Sequence, residues 1–79
     1  MQTGQTSSSS KQYRVQLGQF AMLDNAIRMT TRAKVAGFDA TYFMKDGEYI
    51  VQAGVFSNKT NADNLAKKIR QADLEVVVV

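Results

Sequence analysis

Seven carboxylates are the chemically active groups of this 79-residue chain: Asp24, Asp39, Asp46, Glu48, Asp63, Asp73 and Glu75, in a sequence without histidine or cysteine. Without histidine the commonest general base and metal ligand is missing. Without cysteine neither a thiolate metal site nor a disulfide framework is available. Two carboxylates flanking a bond within about 10 Å would serve a glycosidase. Most of the seven have simpler explanations: Asp24 stands where a helix cap is expected, Asp46 in a turn, Asp63 on a helix surface beside Lys67, and Asp73 at a helix end. Asp39, Glu48 and Glu75 are left over. No phosphate loop, metal-ligand spacing or nucleophile elbow accompanies them, so the sequence points to binding without catalytic residues, metal or cofactor.

The amides are better placed. Tyr13, Val15, Gln16, Gly18 and Phe20 recur as Tyr49, Val51, Gln52, Gly54 and Phe56, an offset of 36 counted from Tyr13 to Tyr49. The register persists through Asn25-Ala26 against Asn61-Ala62 and Ala36 against Ala72. Two copies are too few for a solenoid and imply one closed domain with a pseudo-two-fold axis. Gln16 and Gln52 are therefore duplicated. An amide both donates and accepts, which suits hydroxyl and acetamido groups of a sugar. The simpler reading is that both are solvent-facing strand residues.

The elements that must position them follow from periodicity. Residues 13–17 alternate, with Tyr13, Val15 and Leu17 on one face and Arg14 and Gln16 on the other. Gly18 is expected to end this strand. Asp24 would cap a helix with Ala26, Met29, Ala33 and Ala36 on its apolar stripe, closed by Gly37. A second strand is expected over about 38–44, with Phe38, Ala40 and Tyr42 inward and Phe43 outward. Lys45-Asp46-Gly47 then turns the chain into a third strand over 49–53, Asp-Gly being the hairpin signal. A second helix carries Ala62, Leu65, Ala66, Ile69 and Ala72 on one stripe, and 74–79 forms a fourth strand with Leu74, Val76 and Val78 inward. Pairs Asp24–Arg28 and Asp63–Lys67 have favourable helix spacing.

The βαββαβ order predicts an α+β, ferredoxin-like (split βαβ) fold: a four-stranded antiparallel sheet with both helices on one face. Strands one and three lie at its centre. Arg14, Gln16, Ile50 and Gln52 then share the middle of the open face, with Phe43 on an outer strand. RNA-recognition modules use the same order and stack bases on aromatics of the central strands. Here those positions hold Arg, Gln, Ile and Gln, while Tyr13 and Tyr49 point to the core. RNA binding stays as the alternative, and pairing of a protein partner with a free sheet edge as a third class.

A net charge of +3 favours anionic partners without choosing among them. No apolar run reaches the roughly 18 residues of a membrane span. Residues 1–11, rich in Ser, Thr, Gln and Gly, have the composition of a flexible linker. The expected organisation is linker 1–11 and domain 12–79, with repeats over about 13–43 and 49–79. An upstream partner domain is expected in the same chain.

Tyr13 to Phe20 with Asn25-Ala26 and Ala36-Gly37-Phe38, together with Tyr49 to Phe56 and Asn61-Ala62, resembles the SPOR domain, a peptidoglycan-binding module. The resemblance implies binding to glycan strands stripped of stem peptides, through the helix-free face. It also implies a location in the cell wall or outside the cell, in the mother-cell wall during sporulation, and an upstream N-acetylmuramoyl-L-alanine amidase. In the family the first-strand Gln and the small polar residue three positions later contribute; these are Gln16 and Gln19 here, the latter a position usually held by Ser or Thr. An aromatic after the central turn and a basic residue on strand three correspond to Glu48 and Ile50, so Arg14 is expected to supply the charge. Gln16, Gln52, Arg14, Gln19, Ile50 and Phe43 are the expected glycan contacts.

Overall fold

The computed structural model describes residues 11–79; all but the last residue of the expected linker lies outside them. Strand β1 (Tyr13–Phe20) leads into helix α1 (Leu23–Val35). The hairpin of β2 (Thr41–Lys45) and β3 (Glu48–Phe56) follows, then helix α2 (Lys59–Gln71) and β4 (Val77–Val78). The sheet order is β2-β3-β1-β4, antiparallel throughout. This is the expected split βαβ arrangement.

Both long strands run past their glycines. Gly18 has φ +149°, and a Cβ there would stand 2.8 Å from Cζ of Phe20. At Gly54 a Cβ would meet Phe56 at 3.0 Å and Leu65 of α2 at 3.2 Å. Glycine therefore makes room for the phenylalanine two residues on, which packs against the core. The expectation that Gly18 terminates its strand is corrected: the residue was serving close approach, not chain reversal.

The β1–β3 ladder pairs Val15 with Gly54, Gln16 with Gln52 and Gly18 with Val51, leaving Leu17 and Ala53 without cross-strand partners. Each strand thus carries one bulge, and the two bulged residues are repeat equivalents. The pseudo-two-fold axis passes through the Gln16–Gln52 pair.

The core lies between this sheet and the helices. Val15, Leu17, Val51 and Ile69 are its largest fully buried side chains, each stabilising the fold by roughly 1.5–3 kcal/mol. Ala26, Ala33, Ala62 and Ala66 are buried as well, and their small size lets the helices approach the sheet closely. Leu74 is buried, and Val76 and Val78 pack against the core, as alternation predicts.

The helix ends are duplicated too. Phe38 N donates to Ala33 O and Gly37 N to Lys34 O; Leu74 N donates to Ile69 O and Asp73 N to Arg70 O. Both ends turn through a left-handed residue, Gly37 at φ +99° and Asp73 at φ +64°. Asp46 and Gly47, at φ +53° and +81°, make the β2–β3 hairpin turn, as the Asp-Gly signal predicts.

The caps and ion pairs differ from expectation. Helix α1 begins after Met22, which makes no side-chain cap bond, and Asp24 sits within the first turn, where a carboxylate complements the helix dipole. Asn58 caps α2, accepting from the amides of Thr60 and Asn61. Asp63 pairs with Lys59 at 2.8 Å in place of Lys67, and this is the one ion pair among the described residues. That hydrogen bond and charge raise the pKa of Lys59. Regular pairing in β2 covers 41–45 rather than 38–44, because 36–38 are taken up by the helix C-cap bonds. Regular β4 is shorter than 74–79 for the same reason, although Val79 exchanges both backbone bonds with Arg14.

Candidate functional site

The register assembles the open face row by row. Gln16 stands between Gln52 and Val77, and Gln52 in turn faces Thr41, so one row crosses all four strands. On one side the next row is Phe43, Ile50 and Gln19. On the other, Arg14 lies between Val55 and Val79. The pseudo-two-fold axis exchanges Gln19 with Val55 and Ile50 with Arg14. The six expected residues therefore share one face.

Two of them are less accessible than alternation alone predicts. Gln16 is 8% exposed and Ile50 5%, although Ile50 does not belong to the core cluster under the helices. Their places at the centre of the sheet explain this: each has side chains on both cross-strand sides and along its own strand, which narrow the approach of water. A solvent-facing Gln16 is thus corrected to a shielded one. Arg14 and Gln19 are exposed, and Phe43 is 37% exposed.

Oε1 of Gln52 is buried and has no hydrogen-bond partner among the described residues. Such a group costs about 1–3 kcal/mol relative to a paired one. The atom itself is closed to solvent, so a donor from outside the protein reaches it once the Gln52 side chain turns toward the open face.

A concavity of about 270 Å³ opens beside the central row, lined by Gln16, Gln19 and Ile50 together with Lys45, Asp46, Glu48 and Val79. Of the six expected residues it gathers these three; Arg14, Gln52 and Phe43 lie outside its wall. The hairpin supplies its rim. Lys45, opposite Glu48, brings a cation into the hollow beside the carboxylates of Asp46 and Glu48, whereas Arg14 stands outside its wall in the row that ends at Val79. Lys45 and Asp46 had been read only as turn residues, and the signal that finds them is register: alternation from Phe43 and Ile50 puts Lys45 and Glu48 on the open side. Among the described residues no three His, Cys, Asp or Glu side chains are grouped to hold a metal ion, and no helix is long and apolar enough to cross a membrane.

A family model described as the SPOR domain matches residues 9–79. The chain belongs to the SPOR domain family. Among solved structures it is similar to the solution structure of the peptidoglycan binding domain of the B. subtilis cell wall lytic enzyme CwlC. That likeness has 41% identity and a TM-score of 0.81, and covers 95% of each chain. The Spor protein DedD shares the fold at 20% identity and a TM-score of 0.67, over 90% of this chain and 39% of that one. No curated protein matches. The duplicated Tyr-x-Val-Gln-x-Gly-x-Phe segments are thus the two central strands of a SPOR domain, with their bulges side by side at its middle.

Proposed function

We propose that residues 12–79 form a non-catalytic peptidoglycan-binding module that recognises glycan strands through its helix-free face. The observation that carries this reading is the likeness at 41% identity to a domain described as peptidoglycan binding. The face itself supports it. Gln16 and Gln52 offer amide donors and acceptors at its centre, Phe43 and Val77 offer exposed apolar cover for sugar rings with Ile50 shielded between Phe43 and Gln19, and Gln19 lies beside the hollow.

The preferred ligand is a strand without stem peptides. Cleaving the amide between muramic acid and its peptide leaves a lactyl carboxylate, so a stripped strand is a polyanion. Arg14, on the row beyond Gln16 and Gln52, and Lys45, which shares the hollow with the carboxylates of Asp46 and Glu48, are the cations that meet it. Exposed pairs of this kind contribute about 0–1 kcal/mol each, so affinity is the sum of several contacts along the strand.

On this reading the module tethers an upstream cell-wall hydrolase, an N-acetylmuramoyl-L-alanine amidase, to its own product in the cell wall, and during sporulation in the mother-cell wall. Residues 1–11 serve as the linker between them. Co-sedimentation with intact and amidase-treated sacculi, against single-stranded RNA across a salt series, tests the proposal. Retention on treated sacculi is expected. Tight RNA binding with a steep salt slope and no sacculus retention would reverse it.

A further inference from the structure

The internal repeat supplies a control for every surface position, and helix α1 fails it. Leu23, Ile27, Thr31 and Val35 follow one another at four-residue spacing and form a continuous ridge on α1. Leu23 and Ile27 are each 40% exposed, Val35 is 83% exposed, and Met22 just before the helix is 63% exposed. The equivalent ridge of α2 reads Lys59, Asp63, Lys67 and Gln71. The same fold is therefore built in the second half with a wholly polar ridge. The apolar side chains of the α1 ridge, Leu23, Ile27 and Val35, are more than the fold requires.

Its surroundings specify what it meets. At 100° per residue, Lys34 falls on one flank of the ridge and Arg28 with Arg32 on the other. Asp24 is the one acidic residue of the helix. None of the three cations is in an ion pair among the described residues. Arg28 and Arg32 also line a shallow concavity of about 210 Å³ with Phe20, Asn25 and Met29, a hollow with two guanidinium groups over an apolar floor. An apolar ridge between rows of cations is the arrangement of a helix lying in the interface of an anionic bilayer, its aliphatic residues among the acyl chains and its cations at the phosphates.

We infer that the outer side of α1 is a docking surface for anionic phospholipid. This goes beyond glycan recognition and does not depend on it, since the helices cover the sheet face opposite to the candidate glycan site. Both surfaces are open at once, so a single module can bridge glycan and membrane.

The test exchanges the ridge for the one α2 already carries. Leu23→Lys, Ile27→Asp and Val35→Gln together keep the net charge unchanged and place residues that the fold accepts at equivalent positions. Wild-type protein is expected to sediment with vesicles of equal parts phosphatidylglycerol and phosphatidylcholine, and not with phosphatidylcholine alone. The triple variant should lose this binding by about tenfold or more, while retaining its circular dichroism and its sacculus binding. Arg28→Gln with Arg32→Gln, on the untouched ridge, should weaken vesicle binding by about fivefold per cation removed. Equal vesicle binding by wild type and triple variant overturns the inference, as does the absence of wild-type binding. So does a wild-type dimer in sedimentation equilibrium that the triple variant dissolves, which would give the ridge to a second copy of the chain.

Discussion

Phe20 folds back over Gly18 so closely that a Cβ on the glycine would lie 2.8 Å from the ring. Phe56 and Gly54 repeat the relationship with slightly more room, and Gly54 has no positive φ. Gly18→Ala should therefore destabilise the domain by about 1–3 kcal/mol, through both contact and backbone conformation. Gly54→Ala should cost less. Thermal melts of both variants check the order, and an equal loss at the two sites would mean that backbone conformation adds nothing at Gly18.

Gln16→Ala is expected to weaken retention on amidase-treated peptidoglycan while leaving the fold intact, with a modest drop in the melt because the 8%-exposed side chain packs among its neighbours on the open face. Unchanged retention would remove the central row from the site.

Gln52→Leu separates the protein's needs from the ligand's. Replacing an unpaired buried acceptor with an apolar group of similar size should leave stability equal or raise it by about 1 kcal/mol. Retention on treated sacculi should fall at the same time. A variant that loses stability would show that the amide is satisfied within the folded protein.

Lys45 lines the hollow and Arg14 does not. Lys45→Gln should reduce binding to peptide-stripped glycan by up to about fivefold at low salt, more than Arg14→Gln does, and both effects should fade at high salt. The reverse order would return the carboxylate contact to the first strand.

Met22 and Asn58 occupy equivalent places before the two helices, yet only Asn58 bonds to the first-turn amides. Asn58→Ala should cost about 1 kcal/mol, and Met22→Asn should return part of that amount at the other helix. At this size the change corresponds to a midpoint shift of about 4–8 °C per kcal/mol, measurable by calorimetry.

Element order and topology were legible because the apolar periods are clean and the Asp-Gly turn is unambiguous. The open face was legible for the same reason: alternation alone puts Arg14, Gln16, Ile50 and Gln52 on it. The bulges were not, since Val15, Gln16 and Leu17 alternate without a break and the irregularity appears only when the partner strand is laid alongside. Gly18 was misread because glycine ends strands and also admits close neighbours, and the choice depends on where the Phe20 ring goes. The hollow escaped because its rim, Lys45 and Asp46, belongs to a turn whose composition is explained by turn geometry alone. The cap at Met22 escaped because Asp24, a good capping residue, stands two positions inside the helix.

A glycan strand has a reducing and a non-reducing end, so it can cross the proposed face in two opposite senses. The axis through Gln16 and Gln52 makes those senses alike at the centre of the face. They differ where the repeat has diverged, at Ile50 against Arg14, Gln19 against Val55, Thr41 against Val77 and Phe43 against Val79. Whatever polarity a bound strand adopts is written in those eight side chains, and exchanging them pairwise should turn the strand around.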